Sequence, residues 1–209
     1  MTVDVRELIA GERHRLADLL DTLTGQQLAT PSLCAGWTVK QVAAHLVAAV
    51  DAPASALLKL MVTSGFRLHR ANARLAVDVA RRPTGELSAL LRKHAGNPFR
   101  PPIVGHPGAL TDLQVHLQDI RRPLGLPHDL IPDGLRISLD FLTGGRAVGF
   151  TPRSRPAELR LEATDQDWVK GDGLLVRGAS EALMMALCGR AVVLGELAGD
   201  GVEVLRTRC

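Results

Sequence analysis

Residues 33–46 read LCAGWTVKQVAAHL and contain the clearest helix start of the chain. Thr38 followed by Gln41 fits a capping box, in which each side chain accepts a hydrogen bond from the backbone N–H of the other residue. Trp37 and Val42 then occupy the two positions of a hydrophobic staple, which fixes the angle at which the chain enters a helix. The sequence therefore predicts a rigidly positioned helix from this point.

The remainder of the first 150 residues also has helical spacing of its apolar side chains. Helices are predicted at about residues 4–23, 38–53, 54–64, 67–80, 84–95, 108–122 and 132–143. Beyond a linker rich in glycine and proline, at about residues 144–156, the spacing of the apolar residues changes. Alternation predicts strands at 159–163 and 174–176, and helical spacing predicts a helix at 180–187. Short pieces at 191–194 and 202–205 are either helical or extended. We expect a helical domain over residues 1–150 and a small α+β domain over residues 151–209.

The polar residues of greatest chemical interest lie on two of these helices. Asp112, His116 and Asp119 have the spacing i, i+4, i+7 and so share one helix face. His45 lies on the apolar side of its own helix. Two imidazoles and a carboxylate form the ligand set of an open divalent-metal site, so His45, Asp112 and His116 are candidate metal ligands if the two helices meet. Asp119 is a candidate partner that holds the ring of His116 in place.

Spacing alone leaves an ordinary structural explanation open. A histidine on a helix flank usually makes one hydrogen bond, and an aspartate four residues before a histidine is usually a surface pair. Cys34 precedes a helix N-terminus, where a thiolate is favoured, but a loop cysteine beside a tryptophan is more often inert. The other histidines have no partner on a shared face and are expected to be structural: His14, His69, His94, His106 and His128.

Composition excludes several classes of function. Aromatic residues make up 3% of the chain and tyrosine is absent, so a stacking surface for nucleic acid is not expected. No apolar run reaches the roughly 18 residues that would span a bilayer. The three cysteines fit neither a disulfide framework nor a zinc finger. Together with an N-terminus that lacks the apolar core of a signal peptide, they predict a cytoplasmic protein.

Two stretches resemble the signatures of a known family. Residues 31–46, from Pro31 through the Gly-Trp pair to His45, and residues 115–125, around His116, are similar to the mycothiol-dependent maleylpyruvate isomerase family. The C-terminal stretch from Thr164 to Val202 resembles the C-terminal domain of that family. The resemblance covers nearly the whole chain. It implies a mainly α fold, a DinB-like four-helix bundle followed by a small α+β C-terminal domain.

The resemblance also implies a ligand set and a chemistry. A divalent metal, typically zinc with nickel as the alternative, would be held by His45, Asp112 and His116. The family has glutamate where this chain has Asp112, one methylene shorter. The expected function is a metal-dependent transferase or isomerase that uses mycothiol as cosubstrate on a small electrophile. A non-enzymatic bundle that binds a metal or small ligand is the alternative. The sequence does not fix the oligomeric state, and a homodimer stays open.

Overall fold

The computed structural model describes residues 3–51, 68–98, 101, 103–128 and 130–209. The predicted helix at 54–64 and the predicted helix end at Pro53 lie outside these residues. The helical part contains α1 (Val5–Thr22), α2 (Gly25–Ala29), α3 (Val39–Asp51), α4 (Leu68–Val79), α5 (Thr84–Lys93), α6 (Gly105–Arg121) and α7 (Pro132–Thr143). The C-terminal part contains β1 (Leu159–Ala163), β2 (Val169–Lys170), β3 (Leu174–Gly178), α8 (Ser180–Leu187) and α9 (Gly201–Arg206). Short 3-10 turns occupy Arg122–Leu124 and Ala191–Glu196.

Most of the predicted elements are confirmed, and the differences have local causes. Helix α6 begins at Gly105, three residues before the predicted start at Gly108. Pro107 is tolerated there because it lies in the first turn, where a backbone N–H has no partner within the helix. Helix α2 was not predicted, although Thr24 and Gln27 form a second capping box at its start. Strand β2 was also missed, since two residues are too few for a period to be visible.

One compact unit comprises Arg6–Phe99 and His116–Pro127. Within it, α3 packs against α2, α4 and α5. The helix is rich in alanine and valine, and seven of its residues are buried, so neighbouring helices can approach it closely. Arg13 of α1 is buried in the same unit, and its guanidinium donates hydrogen bonds to the carbonyl oxygens of His94 and Ala95 at 3.0 and 2.9 Å. These contacts hold α1 against the C-terminal end of α5.

The other compact unit comprises Met1–Val5, Arg100–Val115 and His128–Cys209. Its sheet has the strand order β2-β1-β3, with β1 antiparallel to β2 and parallel to β3. Alternate residues of β1 are buried, as the sequence pattern predicts. Helix α8 is completely buried and packs against α7, β1 and β3. The indole N–H of Trp168 donates to Asp140 of α7 at 2.9 Å, so the sheet region is tied to that helix.

Helix α6 is a single continuous helix. Its residues up to Val115 belong to one unit, and its residues from His116 onward belong to the other. The predicted division into residues 1–150 and 151–209 stays a prediction. Among the residues that the structure describes, no helix has both the length and the apolar character required to cross a membrane.

Candidate metal centre

The loop before α3 is held by a dense set of backbone contacts. The N–H and hydroxyl of Ser32 both donate to the carbonyl oxygen of Trp37, at 2.9 and 2.8 Å. The N–H of Trp37 donates to the carbonyl oxygen of Cys34 at 3.0 Å and closes a tight turn. Gly36 occupies this turn with a φ of +78°, a conformation that favours glycine. The loop therefore presents Cys34 and Trp37 in fixed positions.

The predicted capping box at the start of α3 is confirmed. The N–H of Thr38 donates to Oε1 of Gln41 at 2.9 Å, and the N–H of Gln41 donates to Oγ1 of Thr38 at 3.3 Å. Both N–H groups would otherwise have no partner within the helix. The box fixes the start of α3 and, with it, the position of His45 two turns later.

Three aromatic rings form a row that joins α3 to α6. The rings of Trp37 and His45 lie 5.5 Å apart with an interplanar angle of 59°. The rings of His45 and His116 lie 5.1 Å apart at 81°, an edge-to-face arrangement. Aromatic rings prefer this geometry. The structure therefore brings together the two histidines that the sequence selected, from positions that are distant along the chain.

Asp112 lies one turn before His116 on the same continuous helix. His45, Asp112 and His116 are all half-buried. Two imidazoles and a carboxylate are the donors of an open divalent-metal site. The donor chemistry of these three residues therefore fits such a site.

Asp119 holds the ring of His116, as the sequence predicts. Nδ1 of His116 lies 2.8 Å from Oδ2 of Asp119, whose side chain is fully buried. Because a carboxylate only accepts, Nδ1 carries the proton in this contact. Nε2 is then the nitrogen with a lone pair for a metal, which is the usual arrangement of a ligating histidine with a carboxylate behind it.

Cys34 makes contacts that the sequence does not predict. Its thiol donates to Oδ2 of Asp119 at 3.0 Å, and its Sγ lies 3.5 Å from Nδ1 of His116. The neighbouring N–H of Leu33 donates to the backbone oxygen of Asp119 at 3.2 Å. The only sequence signal was that Cys34 stands close to the first candidate helix. Its partner Asp119 is 85 positions away, and spacing carries no information over that range.

Comparison with known proteins points to the same fold. Residues 9–99 match the family model of the mycothiol maleylpyruvate isomerase N-terminal domain. A crystal structure of a histidine-to-alanine variant of a mycothiol-dependent maleylpyruvate isomerase aligns with 95% of this chain and 96% of its own, at 15% identity and a TM-score of 0.50. A crystal structure of the mycothiol-dependent maleylpyruvate isomerase aligns over the same shares, at 16% identity and a TM-score of 0.49. The first likeness confirms the predicted fold class. No curated protein matches the chain significantly.

Proposed function

We propose that the chain is a member of the mycothiol maleylpyruvate isomerase family, whose N-terminal domain model matches residues 9–99, and that it is a metal-dependent thiol enzyme. The proposed reaction uses a small thiol of the mycothiol type and acts on a small electrophilic substrate, as an isomerase or a transferase. The proposed metal ligands are His45, Asp112 and His116. The proposed partners are small molecules, with no nucleic acid among them.

The observation that carries the proposal is the meeting of the two candidate helices. Ring centroids of His45 and His116 are 5.1 Å apart, and Asp112 is one turn from His116. Two nitrogens and an oxygen bound to one ion would leave further coordination positions for small molecules. Zinc is the proposed ion, with nickel as the alternative, because imidazole ligands suit both.

The residues of the chain would perform separate tasks around such an ion. His45 and His116 would hold it as neutral imidazoles, and Asp119 would keep the ring of His116 in the required orientation. Trp37 would pack beside His45 and restrict its ring. When bound, a divalent cation supplies positive charge that favours the thiolate form of an added thiol and polarises a carbonyl group. No cysteine of the chain is needed as the nucleophile.

Asp112 is the departure from the family pattern, and its position supports ligation all the same. Its side chain is one methylene shorter than glutamate, so the carboxylate must start nearer to the histidines. Asp112 lies one turn before His116 on α6, on the same side of that helix. The alternative function, a bundle that binds a metal or small ligand without catalysis, shares this site and differs only in turnover.

Metal analysis of the purified chain tests the ligand set. We expect about one equivalent of zinc or nickel in the parent protein, as an occupied three-ligand site requires. His45→Ala and His116→Ala should both lose it, because each removes one of three ligands. His14→Ala is the matched control, since His14 is exposed on α1, and should keep the full equivalent. A metal content that is unchanged in both site variants would refute the proposal.

A thiol-transfer assay then separates the enzyme from the binder. The parent is incubated with mycothiol and maleylpyruvate, and conversion is followed with and without added zinc. The proposal predicts turnover that falls at least about a hundredfold in His45→Ala, because removal of a group that stabilises the transition state typically costs about 10² or more. Full metal content without turnover on this or any other mycothiol-reactive electrophile would favour the non-enzymatic alternative.

A further inference from the structure

A second set of metal-ligating side chains shares His116 with the first. Cys34, His116 and Asp119 offer a sulfur, a nitrogen and an oxygen whose ligand atoms lie within 4.8 Å of one another. All three belong to the same compact unit. We propose that these residues form an alternative metal site that selects thiophilic cations such as Cd²⁺. The inference does not depend on the proposed function, because neither His45 nor Asp112 takes part in it.

The distances between the donors are close to those of a coordinated ion. A tetrahedral ion bound at about 2.3 Å to sulfur and about 2.05 Å to nitrogen separates those two atoms by about 3.5 Å. Sγ of Cys34 and Nδ1 of His116 are 3.5 Å apart. Oδ2 of Asp119 lies 3.0 Å from the sulfur and 2.8 Å from the nitrogen. Both of these contacts contain a proton, one on the thiol and one on the imidazole. When an ion with bonds of this length replaces the two protons, the carboxylate must move away from the sulfur and the nitrogen by about half an ångström.

The surroundings keep the three donors in place before any ion arrives. The tight turn at Gly36 and the contact of Leu33 with the backbone of Asp119 fix Cys34 against α6. Asp119 is fully buried, whereas Cys34 is half-buried and the side chain of His116 is 15% exposed. An ion can therefore enter from the side of the thiol and the imidazole. The carboxylate at the base supplies negative charge in a place with little water, where Coulomb attraction is strong.

Selectivity follows from the donor atoms. The first set has imidazole nitrogens and a carboxylate, which suit zinc and nickel, and the second set has a thiolate, which soft cations prefer. Binding at the second set would release the thiol proton of Cys34 to solvent and move the proton of His116 from Nδ1 to Nε2. A neutral imidazole has one lone pair, so His116 serves one set at a time. The second set is thus a competitor of the first.

Titration of the metal-free full-length protein with Cd²⁺ alone tests the proposal. Binding through sulfur produces a thiolate-to-cadmium absorption band in the near ultraviolet. We expect this band in the parent and in Cys209→Ser, the control for the exposed cysteine. It should be absent in Cys34→Ser, which keeps a hydroxyl donor to Asp119. In Asp119→Asn the Cd²⁺ affinity should fall by about tenfold or more, the scale found when a ligand or its direct partner is altered. Far-UV circular dichroism checks the fold of each variant.

The His45→Ala variant distinguishes this site from the first. Because it lacks the competing set, its band should appear at the same Cd²⁺ concentration as in the parent or at a lower one. No band in the parent, or a band that survives in Cys34→Ser, would overturn the proposal. Loss of the band in His45→Ala would also overturn it, because the sulfur would then belong to an ion held by the first set. Each of these results is separate from the zinc analysis that tests the proposed function.

Discussion

His116 is the residue on which both donor sets depend. Its contact with Asp119 was predictable from the sequence, whereas the approach of residues from other elements was not. Its contact with Asp119 is a local one between neighbouring turns of α6, and helical spacing predicts it directly. The approach of His45 and of Cys34 depends on how α3 and its loop pack against α6. For His45 the family resemblance supplied what spacing could not. For Cys34 nothing in the sequence did, because a loop cysteine has no periodicity.

Arg13 shows the same limit in the core. The residue is 5% exposed, and its guanidinium donates to carbonyl oxygens at the end of α5, more than 80 positions away. Burial lowers the pKa of Arg13, and the group still keeps its charge because arginine does not lose its proton in proteins. A charged residue inside α1 would be assigned to the surface from sequence alone. One of its terminal nitrogens, Nη1, donates to both carbonyl oxygens just beyond the end of α5.

Replacement of Arg13 should therefore be costly. Arg13→Met is expected to lower the free energy of unfolding by about 2–4 kcal/mol, since it removes hydrogen bonds that a buried, charged group donates. Arg13→Lys should recover only part of this, because an ammonium group is more strongly hydrated than a guanidinium and is therefore harder to bury. Urea unfolding measures both. Arg81→Met is the control on an arginine that is 79% exposed, and it should change the free energy of unfolding by less than about 0.5 kcal/mol. Equal effects of Arg13→Met and Arg81→Met would show that the buried hydrogen bonds contribute nothing.

At the level of helices and strands, the start of α3 was well predicted and close helix contacts were not. Capping chemistry is local, so the spacing of Thr38 and Gln41 is enough to identify their box. The contact between α6 and α7 is different. Gly134 of α7 faces the amide of Gln114, which is completely buried and accepts a hydrogen bond from the hydroxyl of Ser138 at 2.7 Å. A glycine inside a helix looks unfavourable in sequence until its neighbour is known.

Gly134→Ala tests that contact. A Cβ at this position would lie 2.6 Å from Nε2 of Gln114, whose amide is held by Ser138. Alanine favours a helix by up to about 1 kcal/mol over glycine, but overpacking costs about 1–3 kcal/mol. We expect a net loss of about 1 kcal/mol in the free energy of unfolding, the difference between these two effects. Gly11→Ala in α1 meets nothing within 4 Å, so thermal or urea unfolding should show a gain there. A gain of similar size at both glycines would be inconsistent with the observed packing.

The pairing of α1 with α5 gives a pH-dependent contribution. Hydrogen bonds from Ser88 and then from Arg92 lower the pKa of Asp21 below its usual value of 3.8. A lowered carboxyl pKa contributes stability above the unfolded pKa, and this contribution is lost as the pH falls through the folded pKa. Asp21→Asn should thus be slightly less stable than the parent at neutral pH, and the difference should vanish once the pH is below the folded pKa.

Denaturant unfolding of both proteins, from neutral pH down into the acid range, measures the effect. The side chain of Asp21 is 44% exposed, so solvent and salt screen the interaction and the difference at neutral pH will be small. Asp78→Asn, at an aspartate whose side chain is 62% exposed, is the control. A destabilisation of Asp21→Asn that grows on acidification would reverse the stated sign and refute this assignment.

For the whole molecule, the fold is shared with a solved structure whose sequence is very different. A structure with 15% identity aligns with 95% of this chain, because the pattern of buried positions and the helix ends set the architecture more than particular side chains do. The predicted order, helices first and then a small α+β part, follows from a change of period that is visible in the sequence. Only folding brings Cys34, His45, His116 and Asp119 close together.

Anomalous diffraction at the zinc edge, measured on crystals of the zinc-loaded parent protein, decides whether the three proposed ligands share one ion. We expect one strong peak at about 2.0–2.2 Å from a nitrogen of His45, Nε2 of His116 and an oxygen of Asp112, the distances found for zinc ligands. A peak that is remote from His45 and Asp112 would refute the site. The site would also be refuted if the crystal structure showed the three side chains pointing away from one another, with apolar side chains packed between them.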